Sequence, residues 1–438
     1  LIKEGITMRI YINEDKSEYL AHFHERRKTI NDEIREKVKK IVEDVRTSGD
    51  DAVRMYTKMF DNVELDSLEV TDEEIESAKI DKDLEIALQK AKDNIFTFHE
   101  RELEKSWQIE REDGSRFGIR VYGIQRVGVY VPGGSAPLPS SVLMNIIPAK
   151  VAGVKEIIMC TPPLKDGSVS PAILKAAKIA GVDRIFKIGG AQAIAAMAYG
   201  TESVPRVFKI TGPGNAYVAC AKSLVFGDVG IDMIAGPSEI MIVADETANC
   251  DYIAADLLSQ AEHDVMAASI LVTTSMYVAE KVREKVNERL KTLERNTIAK
   301  KSIENNGAII VVDNLDEAAF LSNSIAPEHL ELILNDKILT DEFIDKFYNA
   351  GAIFLGEYSP EPMGDYFCGS NHVLPTGGTA AFSSPLGVWD FVKRTSIVSY
   401  TKEGFFKDCE HAYNMAMAEG LTAHAKSLKA RCDDEQVF

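Results

Sequence analysis

The chain has 438 residues, 45% hydrophobic and 27% charged, a mix that excludes disorder or a fibrous repeat as a description of the whole chain. The length is enough for about three domains and a large core. Fifty basic and 68 acidic side chains give a net charge of −18, which disfavours duplex nucleic acid and anionic membrane as partners.

The six cysteines form no CxxC pair, as expected of reduced thiols in a cytoplasmic protein. No basic-then-apolar leader opens the sequence, and Met8 is a candidate start preceded by residues 1–7. Two uncharged stretches, 127–149 and 366–389, are long enough to span a bilayer. Each is interrupted by prolines and paired glycines (Pro132, Pro137, Pro139, Gly133 and Gly134 in the first; Pro375, Pro385, Gly377 and Gly378 in the second). Both are therefore rejected as spans.

Taken in order, 32–60 and 71–106 place apolar residues at helical spacing among charges. Thr71 and Glu74 fit a capping box. From residue 126 the character changes. Strand-like runs at 127–131, 156–160, 184–188 and 206–210 alternate with helical segments at 140–154, 171–180 and 191–199, the pattern of βαβ units in a parallel sheet. A second set follows, with strands at 241–244, 269–273, 308–312, 330–334 and 352–355 and helices at 251–263 and 276–293. The tail from about 382 reads as helical and polar. The fold class is α/β, with two incomplete Rossmann-like parallel-sheet domains and helical extensions at both ends.

Glycine-rich turns follow three strands: Val131-Pro-Gly-Gly, Gly189-Gly-Ala-Gln192 and Thr211-Gly-Pro-Gly-Asn215. Strand C-termini of this kind line the ligand crevice of an open α/β sheet, although βα turns use glycine in any case. Neither GxGxxG nor a P-loop is present, so any nucleotide binds in an unusual manner. Four further segments carry polar chemistry. Gln260 and His263 share a helix face and are metal-ligand candidates, against the commoner role of a helix-end histidine in capping carbonyls. Glu328 and His329 adjoin in a loop entering a strand, where Pro327 is expected to hold Ala326 extended; an imidazole there can take a proton near neutral pH. Asp365 and His372 lie in a turn-rich polar stretch with Cys368, which is expected as a small buried side chain rather than a nucleophile. Glu419 and His424 mean little alone.

In their fixed order, VGVYVPGG, IGGAQAIAAMAYGT, TGPGNAYV, AGPSE, LLSQAEHD, APEHLEL, GDYFCGSNHVLPTGGT and LTAH closely resemble the histidinol dehydrogenase family. The similarity runs from about residue 127 to 424, and Val265-Met266 stands where the family often has a proline. The resemblance implies zinc-dependent oxidation of L-histidinol to L-histidine through L-histidinal, the last step of histidine biosynthesis, with two NAD+ reduced. It implies zinc ligands Gln260, His263, Asp365 and His424, and the acid/base pair Glu328 and His329. Substrate contacts would be Ser238, His329, His372 and Glu419 besides the metal ligands, and cofactor contacts Tyr130, Gln192 and Asn215. It also implies a cytoplasmic homodimer in which Glu419 and His424 reach the other subunit's site. The implied domains are 1–28, 29–129 with 237–381, 130–236 for the cofactor, and 382–438. The alternatives are another small alcohol as substrate, a zinc hydrolase that turns over without reducing nicotinamide, and a binding module that does not turn over.

Overall fold

A computed structural model describes residues 8–12, 16, 19–21, 23, 32–133 and 137–432; the candidate leader 1–7 lies outside them. Strands Glu239–Ala244 and Ala268–Thr273 are buried at every position, which requires cover on both sheet faces and suits a parallel sheet. They lie inside a six-stranded sheet in the order Arg9–Tyr11, Ala308–Val311, Ala268–Thr273, Glu239–Ala244, His329–Ile333, Ala352–Leu355, with every neighbouring pair parallel. A second, five-stranded parallel sheet runs Arg184–Lys187, Glu156–Thr161, Arg126–Tyr130, Lys209–Thr211, Gly230–Ile231. The two parallel sheets of the expected fold class are present.

The grouping of residues differs from the expected one in three places. Helix Asp32–Asp61 buries Val38, Ile41 and Val45 against the alanine-rich helix Gly190–Tyr199, and helix Lys82–His99 packs on Pro139–Val151. Both therefore cover the second sheet rather than joining 237–381, because helical periodicity announces a buried face without saying what covers it. Strand Arg126–Tyr130 likewise belongs to the second sheet. The N-terminal segment is not purely helical, since Arg9–Tyr11 is an edge strand paired with Ala308–Val311. The capping box at Thr71 forms, but on a short helix, Asp72–Ser77, that ends before Lys82–His99 begins under its own cap, Asp81.

Leu103–Gly123 and Val392–Phe438 make a separate compact unit. Its sheet is antiparallel, in the order Val392–Ser399, Arg116–Gly123, Trp107–Glu110, and helices Lys402–Ala418 and Thr422–Lys429 follow. The tail is thus not wholly helical, and the expected helical stretch over 71–106 is broken at 78–81 and ends its α-helix at His99. Among the described residues no helix is long and apolar enough to cross a membrane. All six cysteines are free.

The turn after Lys209–Thr211 is fixed from beneath. Gly212 adopts φ +115°, and any Cβ there would run into the carbonyl oxygen of Tyr130. Its N–H donates to Asp232 Oδ2 (2.8 Å), and its carbonyl accepts from Lys222 Nζ (3.0 Å). Lys222 and Asp232 also pair with each other, their side chains only 2% and 1% exposed. Replacing Lys222 with Met strands a buried carboxylate, and we expect unfolding in urea to show a loss of about 3–5 kcal/mol. A loss below about 1 kcal/mol, as for an exposed pair, would contradict this role.

Candidate active site

The polar centre lies at the N-terminal rim of the six-stranded sheet. His329 opens its strand between Ile240 and Ala352. The preceding helix, Leu315–Ile325, ends on Ala326 in the left-handed conformation (φ +49°), with the Ala326 N–H bonded to Ser322 O (2.7 Å). Ala326 is therefore not extended as its neighbouring proline suggested; the helix-ending turn outweighs that preference. This turn delivers Glu328 and His329 side by side. Glu328 Oε2 accepts from the N–H of Glu239 (2.9 Å), and His329 Nδ1 lies 3.1 Å from the Glu239 carbonyl. That bond fits a protonated Nδ1, leaving Nε2 directed at Asp365 Oδ1, 3.5 Å away.

Helix Glu361–Tyr366 carries Glu361 and Asp365 four residues apart, on one face. One ligand atom from each of His329, Glu361 and Asp365 lies within 4.8 Å of the others, a spacing that could hold a metal ion. On the last turn of helix Cys250–Ala261, Gln260 is wholly buried, and neither atom of its amide has a hydrogen-bond partner. A buried amide left without partners is costly unless something else occupies the space. His263 follows in the next turn, its N–H on the Gln260 carbonyl (3.2 Å). The side chain reaches solvent, yet the protein packed around it lowers its pKa, against the pull of nearby Asp365. Nitrogen and oxygen donors of this kind suit zinc.

The electrostatics are those of a crowded acid pocket. Burial pushes Glu328 up to about 8, against the influence of His329 and the Glu239 N–H. Burial opposes charge on His329, but Glu328 and Asp365 outweigh it and raise its pKa to about 10. Burial, with Asp365 nearby, carries Glu361 to about 7. Burial would also raise Asp365, but its bond to His329 reverses the effect and holds it below its ordinary value. Behind Glu361, Glu331 accepts its backbone N–H (2.8 Å) and shares a hydrogen bond with Asp256; burial raises both carboxyls, Asp256 to about 6.

Sequence reasoning singled out neither Glu361, Glu331 nor Asp256. The available signals were the four-residue spacing of Glu361 and Asp365 and the alternation that sets His329 and Glu331 on one strand face. Ser238 immediately precedes the strand at Glu239. His372 Nδ1 lies 2.9 Å from the Asp365 carbonyl and Nε2 3.3 Å from Ser141 Oγ, which ties the centre to the helix Pro139–Val151 over the second sheet. Cys368 is exposed rather than buried, its sulfur 3.0 Å from Ser370 Oγ, because it sits in the turn after Tyr366. Glu419 and His424 belong to the separate C-terminal unit, and both are exposed.

Tyr130, Gln192 and Asn215 come together elsewhere, lining a cleft of about 1220 Å³ at the C-terminal rim of the second sheet. The first strand of that sheet in chain order, Arg126–Tyr130, has neighbours on both sides, so the cleft opens at the point where strand order reverses. Helix Gly190–Tyr199 begins there with no side-chain cap, leaving N–H groups suited to a phosphate. The Tyr130 hydroxyl accepts from the Gly190 N–H (3.1 Å), and Gln192 Oε1 is buried without a partner. Asn215 Oδ1 caps its own helix through Tyr217 and Val218, so only the amide nitrogen remains for a ligand.

A family model described as histidinol dehydrogenase matches residues 24–432. The chain belongs to the histidinol dehydrogenase family. It is 52% identical over 419 residues to the histidinol dehydrogenase of Clostridium acetobutylicum, covering 95% of this chain and 96% of that protein. It is 54% identical over 402 residues to that of Bacillus subtilis, covering 91% and 93%. The crystal structure of histidinol dehydrogenase from Elizabethkingia anophelis superposes with a TM-score of 0.92 at 39% identity, over 98% of both chains.

The spacing puts Glu361 among the groups that could hold a metal ion. Glu361→Gln is expected to weaken zinc binding roughly 10–100-fold, measured by competition with a chromophoric chelator. Wild-type affinity in a folded variant would remove Glu361 from the group.

Proposed function

We propose that this chain oxidises L-histidinol to L-histidine through L-histidinal, reducing two NAD+, with zinc as its metal. The observation that carries the reading is His329, held between a backbone carbonyl and Asp365, with the unpartnered Gln260 amide on the helix whose Ser259 donates to Glu361 (3.0 Å). Family membership agrees with it, the family being one of NAD-dependent, zinc-using oxidoreductases.

Gln260, His263 and Asp365 would hold the metal, with His424 of the partner subunit completing the set. Tyr130, Gln192 and Asn215 would hold the nicotinamide cofactor. When bound, zinc would supply a positive charge that orients the substrate, and the nicotinamide would serve as the hydride acceptor in each of the two oxidations. His329 accepts the proton of the alcohol as the first hydride leaves. Its Nε2 is the nitrogen free to do so, because Nδ1 is spent on Glu239. Glu328 takes a proton from the water that adds to the aldehyde; its value of about 8 keeps it poised to exchange protons near neutral pH. His329, having released its first proton to solvent, then takes the hydroxyl proton of the hydrate as the second hydride leaves. Ser238, His372 and Glu419 of the partner subunit would fix the substrate, and holding it at both ends contributes through orientation. A closed pocket also keeps the aldehyde from solvent.

The homodimer is part of this reading. Exposed Ile353, Leu355, Tyr358, Met363 and Tyr366 gather on and beside the edge strand Ala352–Leu355, an apolar surface of the kind a second copy covers.

The direct test supplies the chain with zinc, NAD+ and L-histidinol and counts reduced cofactor per histidine. Two is expected; one, or turnover without reduction, would contradict the reading. His329→Asn should lower histidinol oxidation by about 10²–10⁴-fold with zinc retained, whereas Glu328→Gln should slow oxidation of histidinal more than the first step. Equal losses on both substrates from Glu328→Gln would remove its water-activating role. For the shared site, mixing inactive His263→Asn and His424→Asn chains should restore roughly a quarter of wild-type activity, one intact site in each mixed dimer. No recovery despite mass-confirmed mixed dimers would contradict sharing.

A further inference from the structure

The cleft beside the second sheet contains one charged group whose position nothing in the fold explains. Asp61 is the last residue of helix Asp32–Asp61, where the helix dipole disfavours a carboxylate. It lines the cleft next to Met59 and Phe60. Its Oδ2 is buried, and neither carboxylate oxygen has a hydrogen-bond or ion-pair partner. Of the three lysines lining the cleft, Lys37 pairs with Glu33 (2.6 Å) and Lys40 with Asp44 (2.7 Å), and Lys165 makes no ion pair with Asp61. Burial raises the Asp61 carboxyl above its ordinary value, and its charge reaches the Tyr130 phenol on the central strand of the sheet. A carboxylate in this position weakens the free chain, and the residue lines a cavity of nucleotide size.

We propose that Asp61 accepts the two hydroxyls of the adenosine ribose of the cofactor, and that it is the residue that excludes the 2′-phosphorylated dinucleotide. A vicinal diol presents two O–H donors, which one carboxylate takes with both oxygens once the buried Oδ2 turns toward the cleft. A 2′-phosphate removes one donor and sets a dianion against a carboxylate that no lysine of the cleft is paired with. The neighbouring Met59 and Phe60 supply an apolar wall for the adenine. The assignment rests on the reading that the cofactor occupies this cleft.

The test titrates NADH and NADPH into the full zinc-loaded chain without substrate and follows nicotinamide fluorescence, with thermal unfolding of the free chain in parallel. Wild type should prefer NADH. Asp61→Ala and Asp61→Asn should each weaken NADH roughly tenfold or more, in line with loss of hydrogen bonds to a charged acceptor. NADPH binding should stay level or tighten, so that the preference collapses. The unfolding temperature of the free variants should hold or rise, since an unpaired carboxylate has gone; the near-isosteric Asn variant guards against a packing defect in Ala. Gln192→Ala separates the two readings, because it should weaken both nucleotides alike. If Gln192→Ala does so while the Asp61 variants keep the wild-type preference, the role of Asp61 is overturned and the cleft assignment stands. If neither substitution changes either affinity, the cleft assignment fails and takes the Asp61 proposal with it.

Discussion

One imidazole faces too many carboxylates. Glu328, Glu361 and Asp365 surround His329, with Glu331 and Asp256 behind them, in a region that is mostly buried. Several buried acids around one base cannot all ionise without a further cation, so burial leaves Glu328, Glu361, Glu331 and Asp256 with raised pKa values. The orphaned Gln260 amide, on the helix whose Ser259 donates to Glu361, adds an unsatisfied dipole. A divalent cation answers both deficits at once. It would also weaken the hold of Asp365 on the His329 proton and bring that imidazole closer to the range where it can exchange one. Metal binding, proton transfer and local stability are thus facets of one charge imbalance.

The two sheets use opposite rims. On the second, the cleft opens at strand C-termini where the order reverses, as open α/β sheets generally arrange it. On the first, the acid pocket gathers at strand N-termini, because the turn at Ala326 and the end of helix Cys250–Ala261 both deliver side chains there. His372, bonded to the Asp365 carbonyl and facing Ser141, links the two regions.

Much of this was legible in the sequence. The helix at Pro171–Ala180 and the strands at Glu156–Thr161 and Ala352–Leu355 follow the local alternation nearly residue for residue. Gln260, His263, Glu328, His329 and Asp365 carried visible chemistry, although their local patterns left bland readings open until the order of the motifs was considered. What stayed hidden is non-local. Val392–Ser399 pairs with Arg116–Gly123, a partner far away in sequence, so a half-exposed polar strand looked like a helical tail. The buried face of Asp32–Asp61 was readable, but not the sheet that covers it. Glu331, Glu361 and Asp256 carried no signal of their own, since most acids lie at the surface; only the fold draws them inward.

The most direct measurement is anomalous diffraction at the zinc absorption edge, on crystals grown with zinc and L-histidinol. The account predicts a single strong peak bonded to Gln260, His263 and Asp365 beside His329. A pocket with no anomalous peak, or a peak elsewhere with Gln260 still unpartnered, would contradict it.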